Sequence, residues 1–230
     1  MKRPMRDKWN KLKKLIAYRL TPDNAEILEK LYKNVLFQKL TKKLEAAPVF
    51  SDRFAMYDYI SNEYINNKPI HYLEFGVFKG DSINKWTCLN THSRSHFYGF
   101  DTFEGLPEDW SSKERKGFFN VDGQLPTVTD GRVTFIKGLF QQTLPTFLKD
   151  YHPECESLVH LDADLYSATL FCLTQLDRIT SKGTIIIFDE FSVLLHEFSA
   201  FHDYTRSYYR EWEFVCVSGM NYEHVAVRML

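Results

Sequence analysis

The sequence predicts an α/β fold: a doubly wound, mostly parallel seven-stranded sheet with a terminal antiparallel hairpin and an N-terminal helical extension. Three observations carry this. From residue 70 onward, short apolar runs alternate with segments of helical periodicity. The last two apolar runs, 212–217 and 224–229, are separated by Ser218-Gly219-Met220-Asn221, a spacing that suits a hairpin rather than another crossover. A length of 230 residues, 44% of them hydrophobic, suits one α/β domain with a short extension and is too short for two full domains. The boundary falls at the Asn66-Asn67-Lys68-Pro69 breaker, giving a helical extension over 1–66 and the main domain over 67–230.

Taken in order, residues 6–19 and 23–45 read as amphipathic helices parted by Thr21-Pro22-Asp23, with Asp23 as N-cap. Residues 51–66 form a third, with Phe54, Tyr57, Ile60, Tyr64 and Ile65 at helical spacing. A first strand at 70–75 leads through a glycine turn into a helix at 82–89. The second strand is 97–100. A long segment rich in Gly, Pro, Asp and Ser follows at 103–131, and a loop of that length in a compact domain is usually functional. Strand 132–136 precedes a helix near 140–150, strand 157–161 a helix at 165–179, and strand 184–188 a helix near 193–209. There is no internal repeat and no low-complexity stretch.

Bulk charge excludes a general nucleic-acid binder, because the net charge is -1. That average hides an asymmetry. Residues 1–20 hold eight basic side chains against Asp7, a net +7, which leaves -8 for the rest. Basic residues 2–19 suit contact with an anionic membrane surface or a partner, or simply form a solvated helix face. Cys88, Cys155, Cys172 and Cys216 lack metal-ligand spacing and read as buried reduced thiols of a cytoplasmic protein. The N-terminus has no apolar h-region, and no apolar run reaches transmembrane length. An aromatic content of 16% leaves room for a homodimer interface.

In an open parallel sheet, ligands sit at the carboxyl ends of the strands. The first strand ends in Glu74-Phe75-Gly76-Val77-Phe78-Lys79-Gly80-Asp81-Ser82, where two glycines permit a tight turn and Ser82 opens a helix with unpaired N–H groups. This is not the G-x-G-x-x-G fingerprint of dinucleotide enzymes, which argues against a nicotinamide dehydrogenase. The second strand ends in Asp101-Thr102-Phe103, an acid placed either to bond a ribose diol or to cap the next segment. Asp162 and Asp164 follow one strand, and Asp189 and Glu190 follow the next. Four carboxylates at one sheet edge call for a cation between them, a hard divalent ion such as magnesium or, less completely, a sulfonium. Capping of the next helices accounts for Asp164 in part. A non-catalytic binding module has no use for this acidic set, so it points to an enzyme.

Leu161-Asp162-Ala163-Asp164-Leu165-Tyr166-Ser167-Ala168-Thr169 resembles the L-D-G-D-M-Y-E-S-T stretch of the macrocin O-methyltransferase family, the TylF-type sugar O-methyltransferases. Four further segments resemble it in the same order. They are Glu74–Gly80 (E-T-G-V-W-R-G), Asp101–Pro107 (D-S-F-E-G-L-P), Lys137–Pro145 (K-G-W-F-x-D-T-L-P) and Ala200–Tyr204, with Asp189-Glu190-Phe191 standing where the family has D-D-Y. The resemblance covers about residues 70–205. It implies a Rossmann-like class I methyltransferase using S-adenosyl-L-methionine, commonly with Mg2+.

By position it implies that Glu74, Gly76 and Phe78 line the methionine half, Asp101 and Thr102 the ribose, and Gly138, Leu139 and Phe140 the adenine side, with Val77, Gly80, Ser82, Phe103 and Asp162 also among the cofactor-binding residues. Asp162 would be metal ligand and general base, with Asp189 and Glu190 completing the metal site. The acceptor would be a small molecule or glycan bearing a sugar hydroxyl. The chain departs from the pattern in its Asp-Glu pair and in an N-terminal region without a match. A metal-independent methyltransferase is the nearest alternative, with Asp162 or His202 as base. For His202 the plainer reading is a structural or exposed helix residue, and for Tyr166, which could position the acceptor, it is core packing.

Overall fold

The computed structural model describes residues 25–44 and 46–230. The helix expected at 6–19, the basic segment it carries and the Asp23 cap lie outside the described residues. Helix α1 (Ala25–Leu44), strand β1 (Val49–Phe50) and helix α2 (Arg53–Ile60) precede the alternating part. Asp52 starts α2: its backbone is extended and its Oδ1 accepts from the Ala55 N–H at 3.0 Å, satisfying one orphan donor of the first turn. The helix runs on into a single wide turn, Ser61–Ile65, closed by Asn66 in the left-handed conformation.

The remaining elements are β2 (Ile70–Phe75), α3 (Asp81–Leu89), β3 (His96–Asp101), β4 (Val133–Lys137), α4 (Phe140–Asp150), β5 (Glu156–Leu161), α5 (Tyr166–Leu176), β6 (Ile185–Phe188), α6 (Glu197–Ser207), β7 (Trp212–Ser218) and β8 (His224–Met229). The strands lie in the order β1-β7-β8-β6-β5-β2-β3-β4. Only β8 is reversed, antiparallel to both β6 and β7, as the hairpin spacing requires. The sheet has eight strands rather than the seven expected. The extra one is β1, whose two residues pair parallel with Val217 and Ser218 at the edge.

Strand β6 shows how the sequence builds the core. Ile185 and Ile187 face one layer with Met56, Tyr57, Ile60 and Trp86; Ile186 and Phe188 face the other with Leu173, Phe198 and Phe201. A parallel strand covered by helices on both faces must be apolar at every position, and this one is. Cys172 and Cys216 are buried, but Cys88 is exposed and Cys155 half-buried, so the expectation of buried thiols fails for those two. Among the described residues no helix is long and apolar enough to cross a membrane.

Candidate active site

Strand β2 pairs with β3 on one side and β5 on the other, so the chain reverses direction across the sheet between β2 and β5. A crevice opens there at the carboxyl ends. Backbone bonds carry the ladder one residue past each strand: Gly76 N–H reaches Phe100 O, Asp162 N–H reaches Phe75 O, and Asp189 N–H reaches Leu161 O, at 2.9, 2.9 and 3.0 Å. Gly76, Asp162 and Asp189 therefore stand level. A Cβ on Gly76, at φ +94°, would lie 1.7 Å from the Asp162 carbonyl oxygen, so only glycine lets the β2 turn pass over the end of β5.

A cleft of about 570 Å3 lies above these ends. Of the residues expected to hold a cofactor, Glu74, Gly76, Val77, Phe78 and Ser82 line it from the β2 side. Asp101 and Thr102 line it from β3, and Leu139 and Phe140 from the start of α4. Asp162, Asp189 and Glu190 form its acidic end. Gly80, Phe103 and Gly138 are not in the lining. Gly80 starts α3 in the left-handed conformation, Phe103 is buried edge-on to Phe135, and Gly138 donates to Asp101 O at 2.9 Å.

His202 is not brought to the cleft either. Its Nδ1 lies 3.0 Å from Asp203, which also takes the Lys33 ammonium at 3.3 Å and the Tyr166 hydroxyl at 3.2 Å. This polar knot joins α1, α5 and α6. The loop after β3 roofs the cleft. Leu106 packs on Ala163, Leu165 and Ala168, and Ser167 Oγ donates to Glu108 at 2.5 Å.

Asp101 does structural work. Its Oδ2 accepts from the N–H groups of Val77 and Phe78, both at 2.8 Å, and its Oδ1 from Phe103 N–H at 2.7 Å. It thus fastens the glycine turn and the following loop together. Neither Asp164 nor Asp189 caps a helix: α5 starts after Leu165 without a side-chain cap, and α6 starts at Glu197. The capping expected of Asp164 is absent, and Asp164 instead adopts a left-handed backbone, φ 57°, buried beside the other acids.

The electrostatics divide the acids in two. Burial first, and then the charges of Asp189 and Asp164, push Asp162 well above the usual carboxylate range. Burial and then Glu190 push Asp164 up to about 7, and burial and then Asp189 push Glu190 up to about 7. Asp189 is pulled down, because hydrogen bonding and charge from His160, with His224 and Arg53, outweigh its burial. The contacts are Arg53 Nη1 at 3.2 Å, His224 Nε2 at 3.4 Å and His160 Nε2 at 3.7 Å. His160 is fully buried. The Tyr72 hydroxyl donates to Glu74 at 2.6 Å and lies 2.8 Å from His160 Nδ1, so a polar chain runs from Glu74 through His160 to Asp189. Glu197 is buried beneath, its Oε2 accepting from Glu190 N–H at 2.9 Å.

Sequence reasoning missed Arg53, His160, His224 and Glu197. A signal for His160 exists, since it lies two residues before Asp162 on the same strand and so on the same face. Arg53 and His224 become neighbours of Asp189 only through tertiary packing. Oxygens of Asp162 and Asp189 and a nitrogen of His160 come within 4.8 Å of one another, a set able to take a divalent ion; Glu190 stays outside that set.

The sequence profile of a family described as a methyltransferase domain matches residues 73–191. No curated protein matches the chain. Among solved structures it is similar to CalS11, calicheamicin methyltransferase, at 22% identity over 84% of this chain and 90% of that one, with a TM-score of 0.61. It is similar to the O-methyltransferase NovP at 18% identity over 87% and 98%, TM-score 0.61. A CmcI structure described as Mg-SAM aligns at 15% identity over 78% and 72%, TM-score 0.52. These likenesses carry the fold.

Proposed function

The chain belongs to this methyltransferase family, and from that premise we propose that it is an S-adenosylmethionine-dependent O-methyltransferase acting on a sugar hydroxyl with the help of a divalent cation. One observation carries the reading: Asp162 and Asp189 stand level at a sheet edge beside a glycine turn, over a cleft large enough for a cofactor and part of an acceptor. CalS11, described as TDP-rhamnose 3'-O-methyltransferase, supports a sugar acceptor, and the Mg-SAM form of CmcI supports Mg2+.

Bound S-adenosylmethionine supplies a methyl group on a sulfonium, and a bound divalent ion lowers the pKa of the attacking hydroxyl. In this reading Glu74, fixed by Tyr72, faces the cationic methionine end. Asp101 reaches the ribose edge from its anchored turn, and Leu139 and Phe140 cover the adenine side. Asp162 and Asp189, with His160 within reach, would hold the ion, and Glu190 stands alongside. Asp162, standing beside the place the acceptor hydroxyl would occupy, would take up the proton that hydroxyl loses when its oxygen is methylated. Holding oxygen, carbon and sulfur in line contributes about 7–11 kcal/mol in favourable cases.

The test is Asp162→Asn. It abolishes turnover while S-adenosylhomocysteine still binds in calorimetry. Undiminished methyl transfer by the variant would remove Asp162 from the mechanism.

A further inference from the structure

We propose that Arg53 and a divalent cation compete for Asp189, so that Arg53 sets how tightly the acidic end of the cleft takes up the ion. The proposal rests on the reading of Asp162 and Asp189 as the cation site and adds its control.

Arg53 is the first residue of α2, which precedes the family-matched stretch, and its side chain reaches into the cleft. Its Nη1 lies 3.4 and 3.2 Å from the two oxygens of Asp189. Oδ1 of that carboxylate also faces His160 and His224, so Oδ2 is the atom left for a further cation, and Arg53 holds it most closely. A guanidinium keeps its charge at every physiological pH. An ion arriving at Asp189 meets that charge at contact range inside a partly desolvated cleft, where repulsion is weakly screened.

Its side chain is 30% exposed, so an ion taking Asp189 can displace it toward solvent, where the Phe54 ring, 5.4 Å from the guanidinium, remains a partner. A purely structural tether between α2 and the sheet predicts the opposite sign, because cutting a tether loosens the site and weakens metal binding. The sign of the change therefore separates the two roles.

The experiment titrates Mn2+ into the full-length protein saturated with S-adenosylhomocysteine, read by electron paramagnetic resonance, for wild type, Arg53→Met, Arg53→Gln and Arg53→Lys. Met and Gln, which remove the charge, tighten Mn2+ binding by about tenfold, whereas Lys, which keeps it, stays near wild type. Calorimetry with S-adenosylhomocysteine is unchanged throughout. If Arg53→Met does not fold, the contrast between Gln and Lys carries the same comparison. Equal or weaker Mn2+ binding in the neutral variants, equal behaviour of Gln and Lys, or no Mn2+ binding by any of the proteins overturns the proposal. Failure of the wild type to bind S-adenosylhomocysteine would instead sink the cofactor reading.

Discussion

Asp164 and Glu190 hold their protons to about 7, chiefly because burial disfavours their charge. A carboxyl raised in the native state stabilises the fold fully below its unfolded pKa, near 4, and loses that contribution as pH rises through the native value. The two residues therefore cost the protein stability between about pH 4 and about pH 7. His71 and His196 are pulled down, mainly by burial, and act in the opposite direction below their unfolded pKa, so the informative quantity is a difference between variants. Asp164→Asn melts close to wild type at about pH 5 and above it at about pH 8, as measured by thermal denaturation; a gap that does not widen with pH would refute the shift. The acids themselves were legible in the sequence, because each follows an apolar strand whose end is easy to see. Two neighbours of Asp189 were not. Arg53 and His224 meet it through helix placement and strand register, which local pattern does not encode.

At the scale of elements, the β2 turn is the most constrained piece of the cleft. Gly76 sits at φ +94° against the backbone of Asp162, and that backbone is itself pinned by its bond to Phe75. Neither partner is a side chain that can move aside. Gly76→Ala thus costs about 3 kcal/mol or more, from strain and overpacking combined. Gly131→Ala is the control, since a Cβ there meets nothing within 4 Å and its φ is ordinary; its effect stays within about 1 kcal/mol. Urea denaturation of the two variants checks the contrast, and similar midpoints would contradict the clash. The glycine turn itself was readable from sequence, as were the hairpin and the helix of α4, whose 140–150 span matches Phe140–Asp150. Strand β1 was not, because two residues show no periodicity. Nor was the late start of α6 at Glu197, where the turn after β6 is held by tertiary bonds such as Phe191 N–H to Glu223 O at 2.8 Å.

For the whole molecule the open question is whether residues before 67 are an appendage or part of the folding unit. The expected boundary treats them as an extension, and breaker residues do stand at 66–69. Yet Met56, Tyr57, Ile60 and Ile65 are buried in the same cluster as Ile185 and Ile187 of the central sheet, and β1 adds to its edge. Burying four such side chains is worth on the order of 6–12 kcal/mol, as large as the net stability of a typical domain, about 5–15 kcal/mol. We therefore propose that a chain starting at residue 67 loses its cooperative unfolding transition and, lacking the Tyr57 hydroxyl 3.3 Å from His160, leaves the buried floor of the cleft without support. Circular dichroism melting of residues 67–230 decides the matter. A sharp transition with S-adenosylhomocysteine binding intact would show that the sheet and its later helices suffice, and that α2 only covers a surface already formed.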